Sequence, residues 1–312
     1  MISEGCARGG LPRRALGALA IALILAGCAP VRALSGNAPG PAAHARWVAE
    51  RAAQAEVIYL GELHDNPEHH AHQHRVLAAM VGAGARPAVG FEMLAAERQA
   101  QVDRAVADAA DATALDAALA WTARGWPDLG MYWPLFALAR ERGLPVLALD
   151  LDPALARRVG REGLAALGAA ALPLRSVLPA DPAREAGIAD DIRQGHCGLI
   201  PEARLPAMVE AWHARNVVMA RQIVRGLARA PQVVVVIGRG HQAPGGLPAQ
   251  LAAIRPNTRQ LALDMDEGAA AGAPALARRD PPGLERVAWS APAPRRAAGD
   301  PCAGLRRSGP AT

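Results

Sequence analysis

Short runs of β-branched and aliphatic residues recur along this 312-residue chain, and each is followed by a longer stretch rich in Ala, Leu and Arg. The apolar runs Val57 to Leu60, Ala88 to Phe91, Pro145 to Leu149, Val233 to Ile237 and Gln260 to Leu263 have the length and composition of buried strands, with a last short one at Arg286 to Trp289. Helical spacing marks residues 45–55, 67–82, 95–108, 111–123, 133–142, 153–168 and 202–228. An insert over 170–200 carries Pro173, Pro179 and Pro182 and predicts a short helix near 183–194, whereas the Ala/Gly/Pro-rich stretch 266–285 predicts a loop. Strands interleaved with helices cannot pair as hairpins. The pattern therefore predicts an α/β fold, a mostly parallel central sheet flanked by helices on both faces.

That architecture gives meaning to the residues at the strand ends. The first run passes directly into Gly61-Glu62-Leu63-His64, then Asp65, Asn66, Pro67 and Glu68. Asn66 suits a helix N-cap, Pro67 the first helical position and Glu68 the first turn. The polar cluster thus lies between a strand's C-terminal end and a helix N-terminus, where open α/β sheets bind ligands. Val233 to Ile237 runs into Gly238-Arg239-Gly240-His241, the same Gly-x-x-His pattern, and Ala88 to Phe91 ends in Glu92. Parallel strands would bring Glu62, His64, Glu92 and His241 to one edge of the sheet, with Asp150 nearby at the end of another. Two imidazoles and two carboxylates suit a divalent metal or acid–base catalysis. Taken singly, each has a plainer reading as a turn histidine, a helix-dipole partner or a solvated strand end.

The N-terminus reads as an export signal. Arg8, Arg13 and Arg14 precede an apolar run from Ala15 to Leu25, and Leu25-Ala26-Gly27-Cys28 forms a lipobox. The run is shorter than the ~20 residues a membrane span needs, and suits a signal peptide over 1–27 with Cys28 as the lipidated residue. Ala29 follows in place of an Asp that would hold the product at the inner membrane, so the expectation is a lipid anchor in the bacterial outer membrane, facing the periplasm. Residues 28–43 read as a Pro/Gly/Ala-rich tether, 44–305 as a single α/β domain, and 306–312 as a C-terminal tail.

With 51% hydrophobic residues the chain can build a sizeable core, and every basic side chain is Arg. The formal charge of +5 falls to +3 when a leader with three Arg and one Glu departs. No basic run is long enough to make nucleic acid an expected partner. Cys6 leaves with the leader and Cys28 is acylated, which leaves Cys197 and Cys302 in a compartment where disulfides form. A bridge between them is open, since spacing does not reveal whether their Cα atoms approach.

Five of the nine histidines fall between His64 and His74. His70 and His74 share a helix face, and His69 lies one turn from His72 and Gln73. Such a run can ligate a metal or haem iron or contact propionates. A contact role is expected for His69 or His70, and a solvated face for His72 and His74. Of the two tyrosines, Tyr59 lies within a strand and predicts core packing, whereas Tyr132 precedes a helix in Gly130-Met-Tyr-Trp-Pro134 and is expected at an exposed loop. A tyrosinate there can bind ferric haem.

Several segments together resemble the ChaN family of iron-regulated, haem-binding lipoproteins: Leu60 to His70, Gly90-Phe-Glu-Met93, His196-Cys-Gly198, Arg215 to Ala220, Gly238 to His241 with Gly246-Leu-Pro248, and Asp300-Pro-Cys302. The resemblance spans roughly 45–305. The paired Gly-x-x-His motifs are also similar to a wider group that contains erythromycin esterases and Tiki-type metalloproteases. The chain departs from the family pattern at Asp150, where Asn is usual, and at Arg239, where a smaller residue is frequent.

The resemblance implies an α/β fold, haem as cofactor and a homodimer around it. The similarity to the wider group assigns Glu62, His64, Glu92 and His241 to a catalytic or metal-binding motif. Three functions follow as expectations. The first is a haem-binding lipoprotein for iron or haem acquisition or trafficking, with Tyr132, His69 and His70 as cofactor-binding residues. The second is a metal-dependent hydrolase at the strand-end cluster, and the third a non-catalytic envelope module.

Overall fold

The computed structural model describes residues 40–268, 281 and 283–294. The leader, Cys28, the tether as far as residue 39, Cys302 and the tail lie outside the described residues. Six strands form one sheet: β1 (Val57–Glu62), β2 (Ala88–Ala95), β3 (Val146–Asp150), β4 (Val233–Gly238), β5 (Gln260–Glu267) and β6 (Leu284–Ala291). Their order is β3-β2-β4-β1-β5-β6, and every neighbouring pair is parallel. The expected α/β class with a flanked parallel sheet is what the chain adopts.

The helices are α1 (Pro41–Ala52), α2 (Pro67–Gly82), α3 (Gln99–Asp108), α4 (Ala112–Leu119), α5 (Trp133–Glu141), α6 (Pro153–Glu162), α7 (Pro182–Gly195), α8 (Leu205–Leu227) and α9 (Leu247–Ile254). Local chemistry fixes many of their starts. The side chains of Asn66, Asp111, Asp152 and Asp181 accept from the first backbone N–H groups of α2, α4, α6 and α7. Prolines at the first positions of α1, α2, α6 and α7 occupy sites whose N–H has no intrahelical partner.

Several boundaries differ from the sequence reading, and α1 begins at Pro41, inside the expected tether, where Pro41 takes the first helical position. β2 runs on to Ala95, after a register shift against β3 between Phe91 and Ala95, so α3 begins at Gln99 rather than at 95. α4 stops at Leu119 because Ala120 adopts a left-handed conformation with φ 51°. α6 stops at Glu162, where Gly163 turns with φ 76°, and a 3-10 segment over Leu164–Leu174 follows. In the region expected as loop, β5 extends to Glu267 and β6 starts at Leu284, while 269–280 lie outside the described residues.

Alternation along the strands divides the core. Ile58, Leu60, Phe91, Val234 and Val236 pack with side chains from α1 to α5 on one face. Tyr59, Leu149, Val233, Val235 and Ile237 pack with α8 and α9 on the other. β1, β2, β3 and β4 are buried along their full lengths, as strands covered on both faces must be. The chain leaves β1 for β2 and leaves β4 for β5, in opposite directions across the sheet. Their C-terminal ends are neighbours, so this is the switch point at which such sheets form a crevice. Among the described residues no helix is long and apolar enough to cross a membrane.

Candidate functional site

Register places the first parts of the site. Glu62 on β1 lies opposite Gly238 on β4, and Glu92 follows the Phe91 that pairs with Val236. Glu62 is buried, and four side chains surround its carboxylate. Oε1 accepts from the Tyr132 hydroxyl at 2.7 Å and meets His64 Nδ1 at 2.7 Å. Oε2 accepts from Gln73 Nε2 at 2.5 Å and lies 3.4 Å from His70 Nδ1. Burial pushes the Glu62 carboxyl upward, but the His64 bond, the His70 and His64 charges and the Tyr132 bond outweigh it and hold it below the usual range. Burial likewise works against the charged form of His64, yet its bond to Glu62 and the charge of Glu92 raise it to about 9. The pair is therefore carboxylate and imidazolium at neutral pH.

Glu92 anchors a second constellation. Its Oε2 accepts from the Gly238 backbone N–H at 2.6 Å, and its Oε1 from Arg215 Nη2 at 2.8 Å, with His241 Nε2 at 3.2 Å. Burial opposes its charge, but His241, Arg215 and His64 hold it well below the usual carboxylate range. Arg215 also grips both oxygens of Asp150, at 2.8 to 3.1 Å. His241 Nδ1 donates to Asn216 Oδ1 at 2.9 Å, which directs Nε2 toward Glu92. A Cβ on Gly238 would come within 2.7 Å of His64 Nε2, so glycine at this position is what lets the β1 and β4 constellations touch.

The four expected residues thus gather at one edge of the sheet, with Asp150 beside them. Their donor chemistry does not suit a divalent cation. The oxygens of both glutamates are occupied by hydrogen-bond donors, and the Arg215 guanidinium stands where a cation would be repelled. Among the described residues no cluster of His, Cys, Asp and Glu is arranged to hold a metal ion. Arg215 and Asn216 come from α8 and Gln73 from α2. Nothing in their helical context singled them out, although Arg215 and Asn216 open one of the resemblance segments.

The remaining expectations need correction in place. Tyr132 is not at an exposed loop: it is fully buried against Trp121 and its hydroxyl points at Glu62. Burial and the Glu62 charge raise its pKa, opposing a tyrosinate. Tyr59 is core, as expected, and donates to Gln260. His69 accepts from the Leu63 N–H through Nδ1 and holds the Asp266 carbonyl through Nε2. His70 spans the His64 carbonyl on Nε2 and Gln73 Oε1 on Nδ1. Both are buried and brace the β1–α2 turn. His72 is not solvated but stacks on Trp289 with centroids 4.0 Å apart and meets His44 at 3.0 Å. Burial, then the charges of His44 and Arg75, hold it down to about 3. His74 is half-buried. Cys197 is disulfide-bonded, and Cys302 lies outside the described residues.

Above the cluster opens a cleft of about 960 Å³, within the ~300–1,000 Å³ typical of small-molecule and cofactor sites. Asp150 and Arg215 belong to its lining, as do Trp126 and Trp212. Trp126 packs edge-on to His64 at 5.2 Å and Trp212 stacks parallel to His241 at 6.0 Å, so the two indoles join cleft to cluster. Six arginines, Arg98, Arg124, Arg157, Arg161, Arg204 and Arg215, line it against two aspartates, Asp150 and Asp152. Such a cleft favours an anionic ligand with a flat apolar body.

The family model described as "Haem-binding uptake, Tiki superfamily, ChaN" matches residues 48–251, well over half of the chain. The chain belongs to that family. Among solved structures, the one titled "Cofacial heme binding to ChaN of Campylobacter jejuni" aligns with a TM-score of 0.59 at 22% identity, covering 72% of this chain and 86% of that one. This ChaN-family member also aligns with the type III effector HopBA1, at a TM-score of 0.44 and 16% identity over 81% of this chain and 95% of that one. A mutant of the erythromycin esterase EreC in its open conformation follows at 0.40 and 13%, over 75% of each chain. No curated protein matches the chain.

Proposed function

We propose that this chain binds haem in the arginine-lined cleft over the strand ends, as a lipoprotein serving haem or iron acquisition or trafficking. The observation that carries the reading is the cleft itself, with its size, its two indoles and its excess of arginine. Haem presents a flat apolar macrocycle and two carboxylates, and its bound iron supplies a centre that accepts axial ligands. Trp126, Trp212 and Met208 offer apolar surface, and arginine forks match carboxylates two bonds at a time. Membership of a haem-binding uptake family supports the same ligand.

The export reading completes the proposal. The leader over 1–27 and Cys28 would place the cleft at the periplasmic face of the outer membrane, where nutrient iron arrives. A homodimer would set two clefts around their haems, and light scattering with and without haem tests it. The direct test of haem binding is a titration of the purified full chain with haemin, followed through the Soret band. A saturable shift is expected, and a spectrum identical to that of free haemin contradicts the proposal.

A second reading has one observation in its favour, the Asn216–His241–Glu92 chain beneath the cleft. An imidazole oriented by an amide beside an ionised carboxylate suits acid–base hydrolysis. In this form the alternative is an esterase-type activity that uses no divalent cation. Its test is ester turnover by the wild type that persists in chelator and is lost in His241→Asn.

A further inference from the structure

Away from the cleft, one stretch of surface turns apolar side chains outward. Between Glu162 and Arg175 the chain carries no polar side chain, reading Gly-Leu-Ala-Ala-Leu-Gly-Ala-Ala-Ala-Leu-Pro-Leu over 163–174. Leu164, Ala171 and Leu174 are buried and pack with Val159 of α6 and Ala214 of α8. Leu172 is 65% exposed, the most open large apolar side chain among the described residues, and Val177 just beyond it is 42% exposed. Ala169, Ala170 and Pro173 are exposed beside them.

This exposure is held in place. The Val177 N–H donates to Gln250 Oε1 at 3.2 Å, and Ser176 Oγ accepts from Gln250 Nε2 at 2.8 Å. Gln250 is fully buried on α9. The Arg221 guanidinium donates to the Pro173 carbonyl. The backbone is thus pinned on either side of Arg175 while Leu172 and Val177 stay outside.

The charge beside the bulge has one sign. Arg175 is exposed within it, and Arg221 and Arg225 lie one turn apart on α8, the second of them exposed. None of the three makes an ion pair among the described residues, and α8 has no carboxylate after Glu210. The acidic residues at the far end of the segment are engaged. Glu162 pairs with Arg158 at 3.1 Å, and Glu210 accepts from the Leu164 N–H at 2.7 Å.

An apolar patch of this kind marks an interaction surface, and its chemistry selects the partner. Residues 163–177 contain no aromatic side chain, whereas protein–protein hot spots are built on Trp and Tyr and use Leu and Val sparingly. Aliphatic side chains beside unpaired arginines suit an anionic bilayer. Leu and Val enter the acyl boundary while guanidinium groups meet the phosphates. Reach agrees, since Gly40, the first described residue, is twelve residues after Cys28. A fully extended chain of that length spans about 40 Å.

We propose that the bulge over 172–177, with Arg175, Arg221 and Arg225, docks the domain on an anionic phospholipid surface. The proposal rests on the export reading above, which brings the domain to a membrane. A lipid on Cys28 would hold the domain near the bilayer, and this patch would set which face meets it.

The test uses the full chain, purified from bacterial membranes and reconstituted in vesicles of phosphatidylglycerol with phosphatidylcholine or of phosphatidylcholine alone. A nitroxide is attached at Leu172→Cys or, as control, at Ala83→Cys, which is exposed beyond α2 on the other face of the sheet. Unsubstituted chain carried through the same labelling gives the background. Power saturation then compares collisions with oxygen, which partitions into lipid, and with a water-soluble nickel chelate. In anionic vesicles the nitroxide at 172 is expected to favour oxygen and that at 83 the chelate. Arg175→Glu/Arg225→Glu is expected to lower the ratio of immersed to free label at 172 about tenfold or more, as is phosphatidylcholine alone. Immersion that ignores both changes overturns the role of the arginines. A label at 172 that meets the chelate as freely as the control, in a chain that still floats with the vesicles, overturns the docking and leaves the export reading standing. Spin–spin broadening at 172 that excludes both collision partners shows a second copy on the patch and also overturns it. Immersion at 172 in a chain that carries no lipid overturns the anchor and leaves the docking standing.

Discussion

Tyr132 shows how much of the site depends on single polar atoms. Its hydroxyl donates to a carboxylate that is 1% exposed, so removing it leaves a buried acceptor lacking one of its partners. Tyr132→Phe is expected to cost about 1–3 kcal/mol, read as a lower urea midpoint. His64 gives a pH signature. Its folded pKa of about 9 exceeds its usual 6.5, so the stability it contributes is fully present below pH 6.5 and is lost as pH rises to about 9. Glu62 and Glu92 act in the opposite sense: held below 4.5, they stabilise above that pH, and their contribution disappears on acidification. His64→Gln is expected to flatten the alkaline limb of a stability–pH profile, and an unchanged limb would contradict the pairing. Glu62, His64, Glu92 and His241 were legible because strand-end motifs expose their chemistry to simple reading. Gln73, Arg215 and Asn216 were not, because a polar residue on a helix looks the same whether it faces solvent or a buried carboxylate. The burial of His72 has no local signature for a related reason, since its partner Trp289 lies on β6, far along the chain.

At the scale of elements, the strands were visible in sequence because β-branched runs covered on both faces leave little ambiguity. Their ends were less so. β2 continues past Glu92 to Ala95, and nothing in Met93-Leu-Ala95 distinguishes extended from helical backbone. α8 does most to join sheet and site, carrying Trp212, Arg215 and Asn216 within about one turn of a 23-residue helix. Gly226 near its end lets it approach the sheet. A Cβ there would come within 2.5 Å of Leu147 Cδ1 and 3.1 Å of Val233 Cγ2. Gly226→Ala gains about 1 kcal/mol of helix propensity and loses about 1–3 kcal/mol to overpacking. Net destabilisation is expected in denaturant unfolding, accompanied by loosening of the Arg215 contacts to Glu92 and Asp150. A variant more stable than wild type would show that α8 is not seated this closely.

For the whole molecule, the sheet's switch point explains why distant segments meet; the sequence pattern implies that parallel strand ends converge, whereas the strand order that makes the switch point is set by folding. The cleft has no local signature in sequence, since its lining comes from β2, the end of β3, α6, α7, α8 and the segment around Trp126, joined only by folding. Its arginines are ordinary in a chain whose every basic residue is arginine. The export reading makes its own prediction: labelled palmitate should enter the chain in a bacterial host, and Cys28→Ser should abolish labelling while leaving the fold intact. The most direct test of the central claim blocks the cleft without touching its charges. Ala154, exposed on α6 and part of the lining, can be replaced by Trp. In a haemin titration the wild type is expected to show saturable, one-to-one binding with a shifted Soret band, and Ala154→Trp to bind about tenfold or more weakly. Equal binding by both proteins, or no shift in the wild type, would contradict haem binding in this cleft.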